Sequence, residues 1–214
     1  NVICVTSTIK GEGKSFVSHN LAMSYSALGK KVILVGADLR NPQLHKFMGV
    51  KRENIGLTTY LSNENFNDVD SLITKATTDE GLDYLLTGAI PPNPSELLMR
   101  PRMKELLEVL KQSYDFIIID SAPLLLVSDT TAILPICDSV VYVTRSQFSE
   151  KKLFSFILDM QQRENVPPFA MVLNGMRAGA NNGYNYGYKY RYSYGYTYNY
   201  GYGYGYGRDS KTES

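Results

Sequence analysis

Residues 2–6, Val-Ile-Cys-Val-Thr, form an unbroken apolar, β-branched run of the kind that is buried on both faces of a parallel sheet. Similar runs recur at 31–35, 82–86, 116–119, 140–144 and 169–173, so six strands are expected. Helical spacing fills the gaps between them. Phe16, Leu21, Ala22 and Leu28 mark a first helix that Gly29 ends, and residues 151–163 mark a last one. The stretch 95–113 is helical too, divided at Pro101, because proline suits a first helical turn and not a helix interior. Parallel neighbours need crossover connections, which helices supply, so the expected fold is α/β: a mostly parallel β-sheet with helices on both faces. Ligands of such sheets bind beyond the carboxyl ends of the strands.

Three strand ends carry polar residues of the right kind. After the first strand comes Ser7-Thr8-Ile9-Lys10-Gly11-Glu12-Gly13-Lys14-Ser15. Glycines let backbone N–H groups close around phosphate oxygens, the following helix N-terminus favours anions, a lysine at position 14 reaches the β and γ phosphates, and a serine at 15 ligates Mg²⁺. Thr8 stands where the strict G-x-x-x-x-G-K-[ST] pattern has its first glycine, so the strand-turn-helix setting carries the reading. The layout is P-loop NTPase-like. Lys10, Gly11, Glu12, Gly13, Lys14, Ser15 and Phe16 are the candidate nucleotide-binding residues, with ATP and Mg²⁺ as the expected ligands.

The second strand runs into Gly36-Ala37-Asp38-Leu39-Arg40 and the fourth into Asp120-Ser121-Ala122-Pro123. An acid just past an apolar strand is costly if buried alone, so each is expected to face the open sheet edge and a cation such as Mg²⁺ or its waters. Ser15, Asp38 and Asp120 are the candidate metal-holding residues. Lys14, Asp38, Arg40 and Asp120 are the candidate catalytic residues, since phosphoryl transfer requires a phosphate clamp and metal-holding carboxylates.

Charge and composition set limits and divide the chain. With 22 Lys+Arg against 21 Asp+Glu the net charge is +1, which excludes a polyanion-coating chain, and no nucleic-acid partner is expected. No apolar run approaches the roughly 18 residues of a membrane span, and no signal-peptide pattern opens the sequence, so any membrane link is expected to come from elsewhere. Cys4 and Cys137 lack metal or redox spacing and read as separate, buried, reduced thiols that suit a cytosolic compartment. His19 and His45 have no paired His or Cys and read as structural. Tyr25, Tyr60, Tyr84, Tyr114 and Tyr142 read as packing residues.

The other twelve of the 17 tyrosines alternate with Gly, Asn, Ser, Thr, Lys and Arg: Tyr184, Tyr186, Tyr188, Tyr190, Tyr192, Tyr194, Tyr196, Tyr198, Tyr200, Tyr202, Tyr204 and Tyr206. Residues 178–214 hold four basic groups and two acids, a net +2, which leaves −1 for residues 1–177. The expected organisation is a near-neutral domain over 1–177 and a flexible, low-complexity Tyr/Gly-rich C-terminal tail over 178–214.

Gly11-Glu12-Gly13-Lys14-Ser15, Asp38-Leu39-Arg40, Asp120-Ser121-Ala122-Pro123 and Pro91-Pro92-Asn93-Pro94-Ser95-Glu96-Leu97-Leu98 together resemble the cytoplasmic domain of bacterial protein tyrosine kinases of capsule and exopolysaccharide export. The resemblance implies an ATP-dependent kinase that autophosphorylates its C-terminal tyrosine cluster, with the twelve tail tyrosines as phosphoacceptors. It implies transfer between subunits of a ring-like homo-oligomer, an upstream membrane adaptor or polysaccharide co-polymerase region, and a place on the cytoplasmic side of the bacterial inner membrane. By the same resemblance Asn174 corresponds to an asparagine that reads adenine in related ATPases. The chain departs from the family at Gly36, where the first acid of a D-x-D pair is usual, at Ser121-Ala122-Pro123 in place of Thr-Pro-Pro, and in lacking an upstream E-x-x-R-x-x-R helix. Two alternatives share the fold. One is a deviant P-loop ATPase of partitioning or division-site type, against which Lys10 lies four rather than five residues before Lys14; the other is a non-enzymatic scaffold with a decayed site.

Overall fold

The computed structural model describes residues 1–47, 50, 54–75, 82–125 and 128–176. The tail tyrosines and the 177/178 boundary lie outside the described residues. The elements in order are β1 (Val2–Ser7), α1 (Lys14–Ala27), β2 (Val32–Gly36), α2 (Leu44–Phe47), α3 (Leu57–Ser62), β3 (Ile73–Thr74), β4 (Leu82–Leu85), α4 (Pro94–Met99), α5 (Pro101–Lys111), β5 (Phe116–Asp120), α6 (Asp129–Ile133), β6 (Ser139–Arg145), α7 (Phe154–Gln161) and β7 (Phe169–Asn174).

The sheet runs β3-β4-β2-β5-β1-β6-β7. Every pairing is parallel except β3 with β4. Seven strands therefore stand where six are expected. β3 is two residues long, too short for any alternation to show, and it pairs only through Ile73 with Leu85 and Thr74 with Tyr84.

Each sheet face builds its own apolar layer. Cys4, Ile33, Ile117, Ile119, Val140 and Tyr142 pack with residues of α3 to α7, among them Leu57, Leu98, Leu106 and Ile157. Ile3, Val5, Leu34, Ile118 and Val143 pack under α1. Burying one such side chain stabilises the fold by about 1.5–3 kcal/mol. Helix α5 shows why the sequence folds this way: Met103, Leu106, Leu107 and Leu110 share one buried stripe. Arg100 separates α4 from α5 in extended conformation (φ −64°, ψ 146°), because the ring of Pro101 disfavours helical geometry in the residue before it. The last helix is shorter than 151–163; a 3-10 turn over Lys151–Leu153 precedes α7.

The two thiols are free and buried, but they are not separate. Cys4 Sγ donates to Ser121 Oγ (3.6 Å) and Cys137 Sγ to the Ile133 carbonyl (3.2 Å); the Cys4 thiol near it, then burial, pushes the Cys137 thiol well above its ordinary value. The tyrosines of the body pack as expected: Tyr25 stacks on Phe116, and Tyr60, Tyr84 and Tyr142 are buried. Among the described residues no helix is long and apolar enough to cross a membrane.

Candidate nucleotide and phosphoryl-transfer site

Strand order brings the three polar strand ends together. β2, β5 and β1 are consecutive neighbours, and Asp120 lies in register with Gly36 on one side and Val5 on the other. Backbone bonds continue past the strands: Ala37 N–H donates to the Asp120 carbonyl (2.8 Å) and Ser121 N–H to that of Val5 (3.1 Å). The site thus sits on the central strands of the sheet.

The loop between β1 and α1 turns at Gly11 (φ +94°) and Gly13 (φ +97°), in the left-handed region that favours glycine. A Cβ on Gly13 would lie 2.0 Å from Asn174 Nδ2, so this position also needs glycine for close approach. Glu12 is fully buried and its carboxylate turns into the loop, accepting from Ile9 N–H (2.8 Å) and from Ser149 Oγ. Its side chain shapes the cradle instead of facing a nucleotide. Arg145 Nη1 donates to the Gly11 carbonyl (2.9 Å) and Asn174 Nδ2 to that of Glu12 (3.0 Å). Asn174 Oδ1 accepts from Gly175 N–H (2.8 Å), which leaves one amide N–H and one oxygen lone pair of this side chain open. Thr8, at the place of the strict motif's first glycine, is buried and hydrogen-bonded to the Tyr142 hydroxyl (2.7 Å). Lys10 stands at the surface of this loop and Phe16 at the surface of the first turn of α1.

The acids differ in their surroundings. Asp38 is buried with both oxygens occupied: Oδ2 faces Lys14 Nζ at 3.0 Å and Oδ1 accepts from Asn41 N–H at 3.0 Å. Asp120 is buried with Oδ1 lacking any partner. Burial pushes its carboxyl up to about 6; the Lys14 charge and the Ser15 and Ser18 hydroxyls pull it down, while the Asp38 charge pushes it up. An orphaned carboxylate oxygen beside the Ser15 hydroxyl is a hard-oxygen donor set that fits Mg²⁺. Among the described residues no three His, Cys, Asp or Glu side chains form a cage for a metal. Mg²⁺ suits this arrangement, since it takes one or two carboxylates and completes its shell with water and phosphate.

Gly36 has a local explanation. A Cβ there would meet Thr87 Oγ1 at 3.0 Å and Thr87 N at 3.3 Å, and that hydroxyl donates to the Gly36 carbonyl. Thr87 occupies the side on which a second acid would stand. Arg40, a candidate phosphate-neutralising group, is instead held by Asp129 through Nε (2.8 Å) and Nη2 (3.1 Å). Asp129 was not singled out in the sequence; an Asp opening a helix reads as a cap, and its partner is 89 residues away.

A family model described as an AAA domain matches residues 1–166. The chain is also 33% identical to the kinase domain of the Escherichia coli tyrosine kinase ETK, with a TM-score of 0.77, covering 89% of this chain and 73% of that one. The chain belongs to the AAA-domain family and, within it, to the bacterial tyrosine kinases. A Klebsiella pneumoniae protein named as a tyrosine-protein kinase in the cps region is 39% identical over 184 residues, 86% of this chain but 25% of the relative. The chain thus spans about a quarter of the length of that curated relative. A plasmid partition protein from Borrelia burgdorferi shares the fold alone, with 23% identity and a TM-score of 0.64 over 81% of this chain and 77% of that one.

Proposed function

We propose that residues 1–177 transfer the γ-phosphoryl group of ATP to tyrosine phenols, with the chain's own tyrosines 184 to 206 as acceptors, between subunits of a homo-oligomer. The observation that carries this reading is the meeting of Lys14, at the start of α1, with Asp38 and with Asp120 and its unpartnered Oδ1 at adjacent strand ends, in a chain of the tyrosine kinase family. The loop from Gly11 to Ser15 binds the phosphates through its N–H groups, and Lys14 takes the β and γ oxygens. Ser15 and Asp120 hold Mg²⁺, with Asp38 beside them. When bound, Mg²⁺ neutralises charge on the β and γ phosphates.

A tyrosine phenol has a pKa near ~10 and is protonated at neutral pH. In the transfer its oxygen bonds to the γ phosphorus, the bond from that phosphorus to the β–γ bridging oxygen breaks, and ADP leaves with the electron pair. The phenolic proton passes to Asp38 and on to water. A weak base suffices because the transition state is loose, and placement with charge neutralisation does most of the work. Lys14 changes partner in this scheme, from Asp38 to phosphate, which frees the Asp38 oxygen that accepts the proton.

The family resemblance supports a parent protein anchored on the cytoplasmic side of the bacterial inner membrane and acting in capsule or exopolysaccharide synthesis. Mass spectrometry after incubation with Mg²⁺ and ATP tests the reading. Phosphotyrosine in the tail of the wild type, absent from Lys14→Met, is expected; free phosphate without phosphotyrosine would replace it with the ATPase reading.

A further inference from the structure

Asp129 opens α6 with no exposed surface, yet it carries a full set of polar partners. Arg40 Nε reaches one carboxylate oxygen and Nη2 the other, a forked pairing that a guanidinium makes and an ammonium cannot. Ser95 Oγ, in the first turn of α4, donates to the same carboxylate, and Arg40 Nη2 also reaches Ser95 Oγ at 3.3 Å. The next residue, Thr130, bonds the Ala122 carbonyl (2.6 Å), which Thr6 of β1 also bonds (2.9 Å). One buried carboxylate therefore ties together the loop after β2, the start of the Pro-Asn-Pro-Ser helix and the segment after β5.

Arg40 lies two residues beyond Asp38, and its guanidinium interacts electrostatically with the Asp38 carboxylate as well as with Asp129. Both carboxylates are buried, but Asp129 holds the guanidinium in the forked geometry while the Asp38 oxygens face Lys14 Nζ and Asn41 N–H. We propose that Asp129 is a positioning residue of the phosphoryl transfer: it fixes the loop that presents Asp38 and keeps the Arg40 guanidinium off the Asp38 carboxylate. This rests on the role given to Asp38 in the kinase reading. Without Asp129, Arg40 turns to Asp38, its other acid, and occupies the oxygen that must receive the phenolic proton. Arg40 is then an inhibitor of its own site, restrained by a partner on another element.

The test is a double-mutant cycle on tyrosine phosphorylation, with ATP affinity read by calorimetry on the same samples. Wild type must first yield phosphotyrosine; no product there defeats the kinase reading itself. Asp129→Asn is expected to lower kcat by about tenfold or more, with KM and affinity for ATP within about twofold. Adding Arg40→Gln to Asp129→Asn is expected to recover part of the lost kcat, because the misplaced cation is gone. A purely architectural role predicts the reverse, losses that multiply. Asp129→Asn at wild-type kcat, or a double variant no faster than Asp129→Asn, overturns the proposal. If the amide variant does not fold, Arg40→Lys decides: its half-exposed site tolerates the change, and a single ammonium is expected to lose about fivefold or more in kcat at unchanged KM. A wild-type kcat for that variant also overturns it.

Discussion

The ends of β2 and β5 look alike in sequence, an apolar run closed by an acid, yet the fold treats the two acids oppositely. Asp38 is compensated within the protein by Lys14 and a backbone N–H. Asp120, one strand over, is desolvated with an oxygen left open. The acid at β2 is part of the folded domain's own charge balance, while the acid at β5 keeps one carboxylate oxygen open, as the proposed Mg²⁺ role requires. The strand pattern located both; only their neighbours separate them.

Neutralising each acid should therefore move stability in opposite directions. Asp38→Asn leaves the nearly buried Lys14 ammonium without its counter-charge, and removing one partner of a buried pair costs about 3–5 kcal/mol. Denaturant unfolding should show that loss; an unchanged midpoint would mean that Lys14 finds another partner. Asp120→Asn should stabilise the protein in magnesium-free buffer. A carboxyl raised from 3.8 to about 6 gives stability that is full below pH 3.8 and is lost as pH rises through 6. At pH 7.5 the amide should therefore be ahead by at most about 3 kcal/mol, with the gain vanishing near pH 4. The same variant should bind Mg²⁺-ATP more weakly, and a destabilised Asp120→Asn would erase the contrast between the two acids.

Smaller changes sharpen the comparison. Gly36 lies in register with Asp120, and a methyl group there meets Thr87 Oγ1 and the Thr87 backbone, so Gly36→Ala should cost about 1–3 kcal/mol. Thr87→Ala in the same chain should return part of that loss in thermal melts, since it clears the hydroxyl but not the backbone contact. The smallest effect concerns His19, stacked on Phe47 and Tyr84 and lowered below its ordinary 6.5 by burial. A lowered base gives stability that is present above 6.5 and is lost as pH falls, so His19→Gln should flatten the acid limb of the stability curve just below that pH. An acid limb of unchanged slope would put the responsible group elsewhere.

What the sequence conveys follows from the range of each signal. Apolar runs and helical spacing are local, so six strands, the break at Pro101 and the placing of three polar motifs at strand ends could be read directly. β3 escaped because two residues carry no period. The bond from Ser149 that helps hold Glu12 in the loop escaped because it spans 137 residues, and the Arg40–Asp129 pair, 89 residues apart, escaped for the same reason. Cys4 and Cys137 look solitary until β1 and β6 lie side by side. Residue type announces chemistry, but whether a polar group faces a ligand or another part of the chain depends on long-range topology.

The groups that fix the phosphate loop, Arg145, Ser149 and Asn174, lie 134 to 162 residues beyond the backbone and side-chain atoms they hold. During synthesis on the ribosome the loop emerges long before these braces. A nascent chain therefore carries an unbraced loop until β7 has been made.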